Sequence, residues 1–284
     1  MVRTVVVLIV AFVLLGIPSS CSLDEYPERT GRLNIKMTDA PFPYHRVKEA
    51  NVTVFHMELR KAVTAGEAHN AQWIHLPDTE IEMNLLELTN GITQPLADSQ
   101  VPMGRYDRIR IYIKKVYLVM KDGQVINFNW PQGEAAGITI AIHPHLEIQG
   151  GGASELLLDF DVGRSFLQVG AKTTDQFVFK PNIRASDMAV SVQLTGRASA
   201  QVRDSISRNT QKGLEGVRIG LYTGDTLQVA TYTNADGDYM LMGIPAGSYD
   251  FKASMDGYDD LFIERVMLSP EYETLLDVEL FAKD

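Results

Sequence analysis

Hydrophobic and polar residues alternate with a period of two along several stretches of this chain, which is the pattern of half-buried β-strands. The clearest stretch is 108–119, whose apolar positions alternate with charged or polar ones and are Ile109, Ile111 and Ile113. Asp122-Gly123 then favours a hairpin turn, and residues 124–130 are predicted to return as the partner strand. Sustained helical or heptad periodicity is absent, so the pattern predicts an all-β fold.

Other segments of the first half follow the same pattern with two irregularities. Residues 33–37 and 51–59 are predicted strands, and the expected inner face of the second comprises Phe55, Met57 and Leu59. Val52 and Val54 fall on the opposite side of that alternation, which predicts either a β-bulge or a face covered by a loop.

Residues 81–88 fit two interpretations. Ile81, Leu85 and Leu88 recur at helical spacing, which favours one short helix, but a strand followed by a loop fits nearly as well. Further strands are expected at 155–162 and 177–180, and Pro181 should end the last of them.

The second half contains short strands separated by frequent turn signals, which is typical of a small β-sandwich. Val217, Ile219 and Leu221 alternate on one strand, and Asp236-Gly237 predicts a hairpin turn. We therefore predict two consecutive β-sandwich-like domains, at residues 31–188 and 189–284.

The N-terminus carries an apolar run at residues 5–17, too short to span a bilayer, for which about 20 residues are needed. Arg3 precedes this run, and Cys21, the only cysteine, follows it closely. The segment resembles the signal peptide of a bacterial lipoprotein, although Pro18 stands where leucine is usual. This resemblance implies cleavage of residues 1–20, acylation of Cys21 and a tether at 21–30. An ordinary signal peptide, cut near Ser20, would instead leave a free thiol.

Composition limits the classes of partner. Hydrophobic residues make up 45% of the chain, which excludes a disordered protein. Removal of the predicted signal peptide leaves 25 basic against 36 acidic side chains, so the net charge is −11. Nucleic acids and anionic membranes are bound by clustered Lys and Arg, so neither is expected as a direct partner. Contact with the membrane is expected only through the N-terminal lipid.

Several motifs of the first half, in the same order, resemble an uncharacterised bacterial lipoprotein domain family. They are TDAP at 38–41, ANVTV at 50–54, the leucine-rich stretch and Asn-Gly at 85–91, GRYDRIRI from Gly104 and LLDFDVGRSF from Leu157. The resemblance covers about residues 31–183. It implies a secreted β-rich module and no established activity.

The second half resembles the carboxypeptidase regulatory-like domain, which is a transthyretin-like sandwich. The motifs are GLEGVRIGLY, TNADGDYMLMGIPAGSYDFKA and Gly257-Tyr258. This family implies an accessory or spacer domain rather than a catalytic one.

Four groups of residues are candidates for chemistry. Asp159 and Asp161 should project from one face of a strand, where two carboxylates can bind a metal or share a proton, although capping of backbone groups is the commoner role. The turn 234–238 begins like a calcium loop but lacks the final glutamate, because that position is Pro245, so a hairpin turn explains it better.

The remaining candidates are weaker. His143-Pro144-His145 has no visible third ligand, and we expect a loop fixed by proline; the other histidines are scattered, at His45, His56, His69 and His75. The glycines at 150–152 lack the helix and the Lys-Ser/Thr of a phosphate-binding loop, so a turn is expected. We therefore expect no metal and no cofactor.

The chain contains no Gly-x-Ser-x-Gly, His-Glu-x-x-His, Walker or dinucleotide-binding motif. The expected function is that of a lipid-anchored envelope protein, on the outer membrane and either periplasmic or surface-exposed. It would act as a non-enzymatic binding or structural module for a glycan or another envelope protein. The alternative is an envelope hydrolase whose acid and base are Asp159 and Asp161.

Overall fold

The computed structural model describes residues 29–40, 46–63, 72–129, 137–170, 176–203 and 209–283. The predicted signal peptide and Cys21 lie outside these ranges. Strands dominate the described residues, in which the α-helix is limited to one turn, so the all-β prediction is confirmed. No helix in these ranges has the length and apolar composition required to cross a membrane.

Strands β1 to β12 form an N-terminal unit. Its elements are β1 (Thr30–Ala40), β2 (Val47–Lys61), β3 (Trp73–His75), β4 (Ile81–Asn84), a 3-10 turn (Leu85–Glu87), β5 (Gln94–Pro102), β6 (Gly104–Met120), β7 (Val125–Asn127), β8 (Ile138–Ile148), β9 (Ala153–Asp161), α1 (Val162–Ser165), β10 (Phe166–Gln168), β11 (Phe177–Phe179) and β12 (Ile183–Asp187).

One large sheet organises this unit, in the order β3-β2-β6-β8-β12-β9-β1-β5, with β4 also paired to β2 and β7 to β6. Most neighbours are antiparallel, whereas β1 pairs with β9 and β8 with β12 in parallel. Ile74 on β3, at one end of the sheet, packs against the same hydrophobic cluster that contains Leu96 and Val101 of β5, at the other end, so the sheet curves around a single core.

The alternation predicted for β6 is confirmed, because its three predicted inner residues are buried: Ile109, Ile111 and Ile113. Strand β2 pairs along β6 but changes register on either side of Val54. The predicted bulge is therefore present, and it moves the buried face from Val52 and Val54 to Met57 and Leu59. The expectation that Phe55 shares this inner face is wrong, because Phe55 lies at the bulge and is only half-buried.

Residues 81–88 form a strand and a turn rather than one helix. Strand β4 ends at Asn84, whose side-chain oxygen accepts a hydrogen bond from the Leu86 amide at 3.3 Å and starts the 3-10 turn. The strand-loop interpretation is therefore correct and the helix interpretation is wrong. The hairpin predicted at Asp122-Gly123 is present, with Gly123 at a φ of 90° and β7 paired to β6.

Strands β13 to β21 form a C-terminal unit. They are β13 (Ser191–Arg203), β14 (Asn209–Gly213), β15 (Arg218–Thr223), β16 (Thr226–Tyr232), β17 (Asp238–Pro245), β18 (Gly247–Ser254), β19 (Leu261–Leu268), β20 (Thr274–Leu275) and β21 (Val278–Glu279). A sheet built on β13 and a second sheet, β16-β15-β18-β19, contribute to one separate core. This is the predicted β-sandwich.

The two units touch through defined contacts. Leu157 on β9 is buried, and a Cβ atom added at Gly243 on β17 would lie 3.2 Å from its Cδ2. Asn90, which follows the 3-10 turn, accepts hydrogen bonds from the Met240 amide and the Thr231 hydroxyl, both at 3.3 Å. Strand β17 therefore lies directly on the N-terminal unit.

Candidate functional site

Three neighbouring strands, β3, β2 and β6, bring a set of polar side chains together on one face. His56 and Glu58 are two residues apart on β2, so both side chains point to the same side of the sheet. Glu58 pairs with His75 on β3 and with Arg110 on β6, and His56 pairs with Tyr112. Sheet register thus joins residues that are far apart in the sequence.

Three potential ligand atoms converge within this set. Glu58 Oε1 lies 3.0 Å from His75 Nδ1 and 3.8 Å from His56 Nε2, and the two imidazole nitrogens are 3.5 Å apart. We call these residues the His56–Glu58–His75 cluster. Within the described ranges, these are the histidine and acidic side chains that bring three ligand atoms close enough together to share a metal ion.

Glu58 is held in a fixed position. Its side chain is only 8% exposed, and its second oxygen, Oε2, accepts hydrogen bonds from Arg110 Nη1 at 2.9 Å and from the Tyr112 hydroxyl at 3.0 Å. A buried carboxylate is tolerated only when it is paired and hydrogen-bonded. These two donors satisfy one oxygen and leave the other directed at the imidazoles.

His56 is also oriented by a neighbour. Its Nδ1 atom lies 2.6 Å from Asp78 Oδ1, and an ionised carboxylate can only accept a hydrogen bond, so Nδ1 carries the proton. In the neutral imidazole the lone pair is then on Nε2, which faces Glu58 and His75. The His56 ring stacks on that of His75 with 5.6 Å between the ring centres.

Arg110 links the cluster to an aromatic side chain. Its guanidinium lies 3.9 Å from the centre of the Trp73 ring, a cation–π contact, and Arg60 lies over the same ring at 5.9 Å. Arg110 Nε also donates to the Thr139 hydroxyl at 3.1 Å. Arg110 is therefore held in one orientation by Glu58, Trp73 and Thr139.

The expectation that His56 and His75 are scattered is wrong, because their rings lie side by side. Two imidazoles and a carboxylate are a donor set suited to first-row transition metals. One signal of the cluster was present in the sequence, namely His-x-Glu on an alternating strand. The third member depends on the pairing of β2 with β3, which spacing alone does not predict.

The carboxylates of Asp159 and Asp161 are engaged with neighbouring groups. Arg184 Nη2 donates to Asp159 Oδ2 at 2.8 Å and also to the Met242 carbonyl of the C-terminal unit at 3.3 Å. Asp161 caps α1, accepting from the Arg164 amide at 2.9 Å, as expected for the commoner role. Burial raises the pKa of the Asp161 carboxyl.

The other candidates also have structural roles. Asn234 Oδ1 accepts hydrogen bonds from the Asp236 and Asp238 amides, and Gly237 has a φ of 85°, as the hairpin interpretation requires. Residues 150–152 form the expected turn between β8 and β9. The expectation of a loop at His143-Pro144-His145 is wrong. These exposed residues belong to β8 and lie where the pairing of β8 with β6 changes register.

Residues 30–181 match a family described as a domain of unknown function, DUF4382, and the match covers more than half of the chain. The chain belongs to the DUF4382 family. Residues 199–281 match the carboxypeptidase regulatory-like domain. The DUF4382 domain is therefore followed by the domain that the second resemblance implied, and it contains the whole His56–Glu58–His75 cluster.

Similar solved structures include two bacterial pilins. The Bacillus anthracis TIE protein is 14% identical over 89% of this chain, which spans only 34% of that protein, with a TM-score of 0.24. The minor pilin GBS52 of Streptococcus agalactiae is 12% identical, covering 88% of this chain and 96% of its own, with a TM-score of 0.26. The shaft pilin SpaA of Lactobacillus rhamnosus GG is 9% identical; the match covers 90% of this chain and 98% of the pilin, with a TM-score of 0.24. No curated protein matches the chain.

Proposed function

We propose that this protein is anchored in the bacterial cell envelope through a lipid on Cys21 and acts as a non-enzymatic binding module. The DUF4382 domain carries the binding surface, and the carboxypeptidase regulatory-like domain serves as a spacer. The partner is a component of the envelope, either a glycan or another envelope protein. Neither matching family is described as catalytic.

The observation that carries this proposal is the preformed polar face of β3, β2 and β6. We define this binding face as His56, Glu58, Trp73, His75 and Arg110. Its central carboxylate is buried and oriented, whereas His75 at its rim is 70% exposed. A rigid, partly desolvated set of polar groups that is open to solvent binds a partner without the cost of reorganisation.

The arrangement of the sheet supports the same division of roles. The C-terminal unit contacts the N-terminal unit at Leu157, Ser186 and Asn90. In the order of the sheet, β8 lies between β6 of the binding face and β12, which carries Ser186. The contact with the spacer therefore uses strands other than those of the binding face.

The alternative of a hydrolase finds less support. Asp159 and Asp161 each bond an arginine, and Asp159 lies at the contact between the two units through Arg184. A glycosidase pair must flank a substrate across a cleft. The two carboxylates instead hold local structure in place.

Anchoring is tested with Cys21→Ala. The native protein should fractionate with membranes and carry lipid mass on its N-terminal peptide, since two or more acyl chains give stable anchoring. Cys21→Ala should move to the soluble fraction. Unchanged fractionation of the variant, with no lipid on the native peptide, would overturn the anchor.

Binding is tested by sedimentation of the Cys21→Ala protein with envelopes isolated from cells that lack the gene. The fraction of protein that sediments with the envelopes, here called retention, should fall when Trp73→Ala and His75→Ala are combined. A matched control is His145→Ala, which removes an exposed histidine outside the binding face. Absence of retention, or equal retention of all variants, would refute the proposed binding face.

A further inference from the structure

We infer that His56, Glu58 and His75 form a binding site for a divalent transition-metal ion, with Zn²⁺ as the reference ion. The inference rests on the proposed function only in that it names a ligand of the same binding face. The site would have three protein ligands: His56 Nε2, Glu58 Oε1 and His75 Nδ1.

The spacing of these atoms fits a tetrahedral ion. Zinc bonds of about 2.0–2.2 Å to nitrogen and oxygen place neighbouring tetrahedral ligands about 3.3–3.5 Å apart. The three separations in the cluster are 3.0, 3.5 and 3.8 Å. Shifts of a few tenths of an ångström would therefore suffice for coordination.

The groups behind the ligands support the same assignment. Histidines that bind metal usually donate their other ring N–H to a carboxylate or carbonyl, which orients the ring and raises its basicity. The bond from His56 Nδ1 to Asp78 is of this kind. Arg110 and Tyr112 play the corresponding part for Glu58 by occupying only the oxygen that faces away from the imidazoles.

Local charge favours a cation at this point. With neutral imidazoles, the cluster and its supports contain two carboxylates, Glu58 and Asp78, and one guanidinium, Arg110, so the balance is negative. Glu58 has Arg110 as its charge partner at Oε2, whereas Oε1 accepts from His75 Nδ1 at 3.0 Å in the metal-free protein. A metal would replace that proton between the two atoms and release it to solvent.

The donor types also select the ion. Imidazole nitrogen suits zinc, copper and nickel, whereas calcium and magnesium prefer shells made only of oxygen. His75 is 70% exposed, so solvent can reach the cluster. Three protein ligands and an open position allow water or a donor group of the envelope partner to complete the coordination.

The test is a calorimetric titration of the whole chain, carrying Cys21→Ala so that no thiol competes, with Zn²⁺ alone after treatment with a chelator. We expect one ion per chain. His75→Ala should weaken binding at least tenfold, and Asp78→Asn by about 10- to 100-fold. The matched control is His143→Ala with His145→Ala, which removes two exposed histidines outside the cluster and should leave affinity unchanged.

Two further measurements secure the interpretation. His75 is exposed, so His75→Ala should keep the thermal transition of the metal-free protein, and X-ray absorption of the zinc form should show two imidazole ligands with oxygen in the remaining positions. Absence of Zn²⁺ binding at millimolar concentration, or binding that survives both His56→Ala and His75→Ala, would overturn the site. If the protein sediments with envelopes but does not bind zinc, the metal site is refuted and the proposed function stands. If it binds zinc but does not sediment with envelopes, the proposed function is refuted and the metal site stands.

Discussion

The Ser186 hydroxyl in the N-terminal unit donates a hydrogen bond of 2.9 Å to the carbonyl oxygen of Gly243 in the C-terminal unit. Gly243 has a φ of 63°, and a Cβ at this position would lie 3.2 Å from atoms of both Ser186 and Leu157. Optimal carbon contacts are about 3.5–4.0 Å. The close approach of β17 to β9 and β12 therefore depends on glycine at position 243.

Gly243→Ala should weaken the contact between the units. The left-handed backbone alone costs a non-glycine residue about 1–2 kcal/mol, and the crowded Cβ adds to this cost. Gly257→Ala is the matched control, because Gly257 has a φ of 83° and open space around its Cβ position. Thermal unfolding should show a larger loss for Gly243→Ala; an equal loss in the two variants would mean that the crowded Cβ at position 243 adds no cost.

Tyr239→Phe should destabilise the C-terminal unit by about 1–3 kcal/mol. The Tyr239 side chain is buried and its hydroxyl donates to the carbonyl of the partly buried Leu276, so its removal leaves that acceptor without this donor. Tyr272→Phe serves as the control, since Tyr272 is exposed and should change stability by less than about 0.5 kcal/mol. Chemical denaturation measures both, and a neutral Tyr239→Phe would contradict the role of this hydrogen bond.

The Arg60–Asp107 pair should make stability depend on pH under acidic conditions. Arg60 donates two hydrogen bonds to Asp107, at 2.8 and 2.6 Å, and they lower the pKa of the Asp107 carboxyl below its unfolded value of about 3.9. The stabilisation is therefore fully present above about pH 4 and disappears as pH falls through the folded pKa.

Arg60→Gln should accordingly lower the melting temperature at pH 6, and the difference from the native protein should shrink below pH 4. Arg32→Gln breaks the more exposed Arg32–Asp98 pair and should have a smaller effect, because solvent screens it. Melting curves recorded across pH 2–7 test this. A difference in melting temperature that grows as the pH falls would contradict the predicted direction of the pH dependence.

A fragment of residues 189–284 should fold by itself. Its core residues all lie between Val192 and Leu280 and pack into a cluster separate from that of the N-terminal unit. Loss of the contacts at Met240 and Gly243 should lower its melting temperature relative to the whole chain. A cooperative calorimetric transition supports this boundary, and a gradual one would indicate a continuous fold.

Local patterns predicted the strands well because alternation reports directly on burial. Ile109, Ile111 and Ile113 are buried as expected. The conflict between the Val52–Val54 and Met57–Leu59 patterns indicated either a bulge or a face covered by a loop, and the bulge is present. The prediction for Phe55 is wrong because of the same bulge, since a register shift of one residue reverses which side chains of the strand face inward.

The cluster could be predicted only in part. His56 and Glu58 share a strand, and their common face follows from a period of two. His75 and Arg110 reach them through the pairing of β3, β2 and β6, which depends on long-range register. His143-Pro144-His145 shows the opposite case, in which histidines adjacent in sequence remain an exposed part of β8.

Strand β1 begins at Thr30 and is paired along most of its length with β5 on one side and β9 on the other. Under the proposed anchor, the residues from Cys21 to Thr30 reach at most about 30 Å. A pull between the membrane and a partner held on the binding face therefore enters the fold at the start of β1. The component of such a force along β1 would load the backbone hydrogen bonds to β5 and β9 together instead of opening them one at a time.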